Sequence, residues 1–207
     1  MLAGHDILDI RPPAGVDPFF KRKPQKLWCV GDPAILNGKL LGIISARKID
    51  PDLALKTSQL LKQLASLGNV SFISGWHSPL EEEALNILLS YPVQLIFCVS
   101  KSLNRFLPAV DVKNRISQGR ALLLTHCSPR AKRITRDASL RRNHLVAGLG
   151  KGLLVLAAPA GSLSLRLAEK VIDLGRPVFT PRHRMNEGLF SSGGLPATIE
   201  NIQRLFS

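Results

Sequence analysis

A doubly wound, mainly parallel α/β sheet is the fold that the sequence predicts, and three observations predict it. Short apolar runs alternate with amphipathic stretches along most of the chain. Those runs, LLGIIS, VQLIFCV and ALLLT among them, lack the in/out alternation of a half-exposed strand and suit strands covered on both faces. With 207 residues, 45% of them hydrophobic, the chain is long enough for one well-cored domain.

The elements follow in order. Residues 1–26 hold Pro12, Pro13, Pro18, Pro24, Gly15 and a basic patch at 21–23, with no period of 2 or 3.6, so an extended N-terminal arm or linker is expected there. Residues 27–207 are expected to form the core domain. Asn37 and Gly38 punctuate the chain before a strand at 40–45. A helix is predicted over 50–68: Pro51 suits its first turn, Leu53, Leu60, Leu61, Leu64 and Leu67 share one face, and Gly68 ends it. A strand at 70–74 precedes a helix over 79–90, whose first turn carries Glu81, Glu82 and Glu83 where the macrodipole favours them. Strands at 93–99 and 121–125 flank a helix over 110–118. A short helix over 142–149, a strand at 153–157 and a helix over 163–174 come next, with Gly175 as the stop. A strand at 178–180 and a helix over 197–206 close the chain. This is the pattern of a Rossmann-like domain.

Right-handed crossovers put the C-terminal ends of parallel strands on one edge, where such sheets bind ligands. The residues after successive strands are therefore read together. They are Ser45 and Arg47; Gly75, Trp76 and His77; Ser100, Lys101 and Arg105; His126 and Arg130; and Gly161 with Ser162. Arg141, Arg142 and Asn143 arrive from the helix before the fifth strand. Gly161 and Ser162 at a helix start suit a phosphate, and equally an ordinary turn with Ser162 as N-cap. Trp76 suits either base stacking or edge packing.

Charge narrows the partner. The chain carries 28 Lys and Arg against 15 Asp and Glu, a net charge of +13. Residues 101–151 hold twelve Lys or Arg opposed by Asp111 and Asp137 alone, which favours a polyanion over a uniformly solvated surface. Cys29, Cys98 and Cys127 are widely spaced and form no CxxC pair, as in a reduced, cytoplasmic protein. No apolar run is long enough for a membrane helix, and the residues around His5, Asp6 and Asp9 have no signal-like core. No Walker loop, GxSxG elbow or GxGxxG after the first strand is present, so no cofactor, metal or catalysis is expected.

Several spaced blocks resemble the DprA/Smf DNA-processing family. LWCVGDPAILNGKLLGIISARK is similar to its opening segment leading to a strand that ends Val-Gly-Ser-Arg, and VSFISG to its second strand. RRNHLVAGLGKGLLVLAAPAGSLS resembles its Arg-Asn-Arg block, strand and Ser-Gly-Ser-Leu turn, and NEGLFSSGGLPA its tail. The resemblance implies a Rossmann-like core that binds single-stranded DNA without catalysis, a RecA-type recombinase as partner, and a homodimer. It implies phosphate contacts from Arg47, Arg142, Asn143, Gly161 and Ser162, to which the strand-end residues and the basic charge add Ser45, Gly75, Lys101, Arg105 and Arg141 as expected contacts. Here Ser45-Ala46 replaces the family's Gly-Ser before Arg47, His144 replaces the second arginine of the Arg-Asn-Arg block, and Pro79 and Glu81 occupy its glycine and acid positions. The alternative is a sensor or enzyme for a small nucleotide. Related phosphoribohydrolases carry a PGGxGT-E signature, to which residues 158–163 come nearest without its double glycine or acid.

Overall fold

The computed structural model describes residues 6–48, 50–131 and 135–207. His5, Lys132 and Arg133 lie outside them. Nine strands make one sheet: β1 (Leu8–Ile10), β2 (Leu27–Gly31), β3 (Leu40–Ile44), β4 (Ser71–Ser74), β5 (Leu95–Val99), β6 (Ala121–Thr125), β7 (Gly152–Val155), β8 (Val178–Thr180) and β9 (Leu195–Pro196). Their order is β1-β2-β6-β5-β4-β3-β7-β8-β9. From β6 to β9 every pairing is parallel, while β2 runs antiparallel to both β1 and β6. The doubly wound, mainly parallel α/β fold is as expected.

Helices cover both faces. On one lie α1 (Pro51–Ser66), α2 (Pro79–Leu88), α3 (Val110–Ser117) and α7 (Ile199–Arg204), which bury Leu53, Leu61, Leu64, Leu80, Leu88, Val112, Ile116 and Ile202 in a single cluster. On the other lie α4 (Arg136–Leu149), α5 (Leu163–Asp173) and the short α6 (Glu187–Ser191), which contribute Leu145, Val146, Leu167, Ala168, Val171 and Leu189. Fully buried strands such as β3, β5 and β6 explain why no alternation was visible.

Local chemistry sets the helix starts. Pro51 and Pro79 stand in the first turns of α1 and α2, behind the N-caps Asp50 and Ser78. Helix α4 begins at Arg136, six residues before the expected 142, because Thr135 Oγ1 caps it by accepting from Ala138 N at 3.0 Å. The early turns of α4 have no apolar period, so their sequence did not show a helix.

The N-terminal segment differs from the extended arm expected. Leu8–Ile10 pairs with β2, and residues 14–19 form a 3-10 turn that buries Val16 and Phe19 against the face carrying α4. A close backbone approach fixes it: a Cβ on Gly15 would stand 2.7 Å from Gly148 O, and one on Gly148 2.8 Å from Val16 Cα. The prolines that suggested an arm shape this compact turn instead.

Candidate functional site

The chain winds from β3 outward to β6, and α4 then carries it back to place β7 on the other side of β3. Beyond the C-terminal ends of β3 and β7 lies the switch point at which doubly wound sheets form their crevice. A cavity of about 480 Å³ opens there. The turn after β3 supplies Ser45, Ala46 and Arg47, and the start of α2 supplies His77, Ser78 and Glu81. Opposite them stand Ser139, Leu140, Arg142 and Asn143 of α4, with Ser162, Leu163 and Ser164 at the start of α5.

Glu81 organises the near wall. Its carboxylate is buried and accepts from Ser45 N at 2.8 Å, His77 N at 2.9 Å and Ser78 N at 3.3 Å. Ser78 Oγ accepts from Glu81 N in return, completing a capping box. Burial pushes the Glu81 pKa up, while the His77 amide and Arg142 pull against it. The consequence for ligand binding is direct: the amides of Ser45, His77 and Ser78 are already occupied, so this turn offers an anion side chains rather than backbone N–H groups.

Arg142 forms the floor. It is 9% exposed, and its Nε and Nη2 donate to Asn143 Oδ1 at 3.1 and 3.0 Å. Gly75 lies beneath it, at a distance only a residue without Cβ allows. Asn143 thus turns its oxygen inward, and its amide N–H groups have no acceptor among the described residues. At the far wall Ser162 caps α5 by accepting from Leu165 N at 3.1 Å, and its own N–H goes to Pro159 O. The first-turn N–H groups of Leu163 and Ser164 have no acceptor among the described residues and end at the cavity.

The structure therefore brings Ser45, Arg47, Arg142, Asn143 and Ser162 together in one lining, with Gly75 directly behind. Lys101 follows the lining residue Ser100 and sets its Nζ 5.3 Å from the centre of the Phe106 ring. Arg105 is exposed on the next turn, and Gly161 sits at the rim with φ +75°, its carbonyl held by Arg166 at 3.2 Å. Arg141 does not converge on the cavity as expected. One residue along a helix is a rotation of about 100°, and Arg141 points to the N-terminal segment, 5.4 Å from the Phe20 ring and 3.5 Å from Arg22 O. Trp76 packs rather than stacks: it is 6% exposed, donates from Nε1 to Ile96 O at 3.2 Å and adopts a left-handed φ of 53°. His144 lies edge-on to Phe20, outside this cavity. Sequence reasoning missed the work of Glu81, though the Ser78-to-Glu81 capping-box spacing was a readable signal.

Burial, Arg142, Lys101 and Arg47 push the His77 pKa down to about 4, and burial with Arg141 does the same to His126. Both are neutral near pH 7. Among the described residues no three His, Cys, Asp or Glu side chains are placed to hold a metal ion, and no helix is long and apolar enough to cross a membrane.

Two solved structures share this architecture at close fit. DNA processing protein A from Streptococcus pneumoniae aligns with a TM-score of 0.80 and 19% identity over 96% of this chain and 74% of its own. DNA processing protein A from Helicobacter pylori, described for its single-stranded DNA binding mode, aligns with a TM-score of 0.78 and 24% identity over 98% and 96%. The molybdenum cofactor carrier protein of Chlamydomonas reinhardtii is more distant, with a TM-score of 0.55 and 13% identity over 82% and 98%. No curated protein matches the chain significantly. The profile of one family, described as DNA recombination-mediator protein A, matches residues 13–201, nearly the full length, and the chain belongs to that family.

Proposed function

We propose that this DNA-processing protein binds single-stranded DNA at the C-terminal edge of its sheet and does no chemistry on it. The observation that carries the reading is the shared lining of Ser45, Arg47, Arg142, Asn143 and Ser162 around one cavity. At about 480 Å³ it falls within the range of small-ligand pockets and suits one nucleotide of a strand. Arg47, Asn143 and the Ser162 hydroxyl, which only accepts in its cap, offer donors to phosphate. Lys101 and Arg105 extend the positive rim toward the loop after β5. The lack of catalysis is supported by Glu81, the one carboxylate in the lining among the described residues: it is buried and accepts from three backbone amides, which ties it to the turn rather than to a ligand. Family membership extends the proposal to a cytoplasmic protein that works as a homodimer and delivers DNA to a RecA-type recombinase.

Oligo-dT binding measured by fluorescence anisotropy across a salt series tests the central claim. Log affinity is expected to fall by roughly 0.7 per log unit of salt for each phosphate engaged. A combined Arg47→Ala, Lys101→Ala and Asn143→Ala variant should lose most of the affinity and flatten the slope. No binding by the wild type at low salt, or equal binding by the variant, defeats the reading. Cavity volume alone also favours a second ligand, a free mononucleotide. A thermal shift with mononucleotide and none with oligo-dT would establish that instead.

A further inference from the structure

A second, smaller groove of about 220 Å³ adjoins the cavity between α4 and α5. Leu140, Asn143 and Leu163 line both, so the two are successive segments of one trough. Past that shared wall the groove has an apolar floor at Leu167 and cations at its rim, Arg166 exposed and Lys170 half-buried. Lys170 Nζ stands 5.5 Å from the Phe19 ring, whose surroundings also include the Arg176 guanidinium at 5.6 Å. His144 completes the lining, its pKa held down by burial and by Lys170, so it adds a neutral ring. Among the described residues no acidic side chain lines this groove.

We propose that a single strand occupying the first cavity continues through this groove, its next phosphates engaged by Arg166 and Lys170. The inference rests on the single-strand reading of the first cavity. Three features carry it beyond that reading. The space is smaller than an independent small-ligand pocket usually is, which suits an extension better than a separate site. Asn143 presents its unoccupied amide N–H groups at the wall between the segments, where a backbone crossing from one to the other passes. Cations in both segments, Arg47 and Arg142 in the first and Arg166 and Lys170 in the second, match a polymer whose charge recurs at every residue, whereas a mononucleotide needs only the first cavity.

The test compares a short oligo-dT sized to the first cavity with one several-fold longer. The wild type is expected to prefer the longer strand, with a steeper salt dependence. The Arg166→Gln/Lys170→Gln variant should lose that preference, its slope on the long strand falling by about 1.4, the value for two phosphates on a single strand. Because Arg166 also holds the Gly161 carbonyl, acylation of Lys170 in the wild-type protein provides a second measurement. The longer strand should protect Lys170 and the short one should not. An unchanged preference together with an unprotected Lys170 overturns this path while leaving the cavity reading intact. Failure of both strands to bind the wild type overturns the cavity reading itself.

Discussion

Gly75 lies directly beneath Arg142: a Cβ there would stand 2.5 Å from Nε, 2.8 Å from Cζ and 3.0 Å from Cδ of the arginine. The strand-end glycine thus serves a side chain from α4 and not a ligand directly. Gly75→Ala is expected to push the guanidinium off the cavity floor. Overpacking of this kind costs about 1–3 kcal/mol, readable by urea denaturation, and oligonucleotide affinity should fall with it. Unchanged affinity at full fold would show that the placement of Arg142 does not matter to the ligand.

Glu81 joins three elements, the turn after β3, the start of α2 and, through its charge, Arg142 on α4. Glu81→Ala leaves buried amides without an acceptor and a buried guanidinium without its countercharge. Leaving such hydrogen-bonding groups unsatisfied costs about 1–3 kcal/mol, and a loss of that order is expected on thermal or denaturant unfolding. Glu81→Gln retains acceptor oxygen and should recover part of the loss. Equal stability of Ala and Gln variants would contradict the hydrogen-bond account.

Not every cation in the basic stretch serves a ligand. Arg115 donates to Val93 O at 2.9 Å, Leu89 O at 2.7 Å and Tyr91 O at 2.7 Å, closing the C-terminal end of α2 onto the loop before β5. Arg115→Met keeps much of the stem and removes the donors. It should lower stability by about 2 kcal/mol, given the usual worth of hydrogen bonds to a charged group, and leave the salt slope of DNA binding as it is. A shallower slope in this variant would assign Arg115 to the interface.

The division between legible and hidden features follows from what a linear pattern encodes. Strands β3 to β8 and helices α1, α2, α3 and α5 were readable because each is long enough to show a period or a continuous apolar run. The two-residue β9 and five-residue α6 are too short for either. The antiparallel direction of β2 leaves no trace in five residues, and Val16 and Phe19 gain their burial from contacts more than a hundred residues away. At the site, topology fixed the edge but not the rotation of side chains about it. Arg141 and Arg142 are neighbours in sequence, yet one faces Phe20 and the other the cavity floor. The same limit concealed Glu81, whose capping role was visible and whose long-range bond to Ser45 was not.

His77 gives the site a pH dependence whose sign differs between folding and binding. Its folded-state pKa of about 4 lies below the ordinary value of 6.5. Its contribution to stability is therefore fully present above about pH 6.5 and is lost as pH falls through about 4. Binding runs the other way. A phosphate near Arg47 and Arg142 offsets the cationic repulsion that helps depress the pKa, so the complex holds a proton on His77 at a higher pH than the free protein does. By linkage, affinity for oligo-dT at fixed salt should be flat near neutral pH and rise as pH drops below about 6, until unfolding intervenes. With a short oligo-dT sized to the first cavity, His77→Gln should flatten the rise, whereas His144→Gln should retain it, since His144 lies against Phe20 outside that cavity. Anisotropy titrations of the three proteins between neutral pH and the onset of acid unfolding decide the matter. An identical pH profile for wild type and His77→Gln would remove His77 from the phosphate's surroundings.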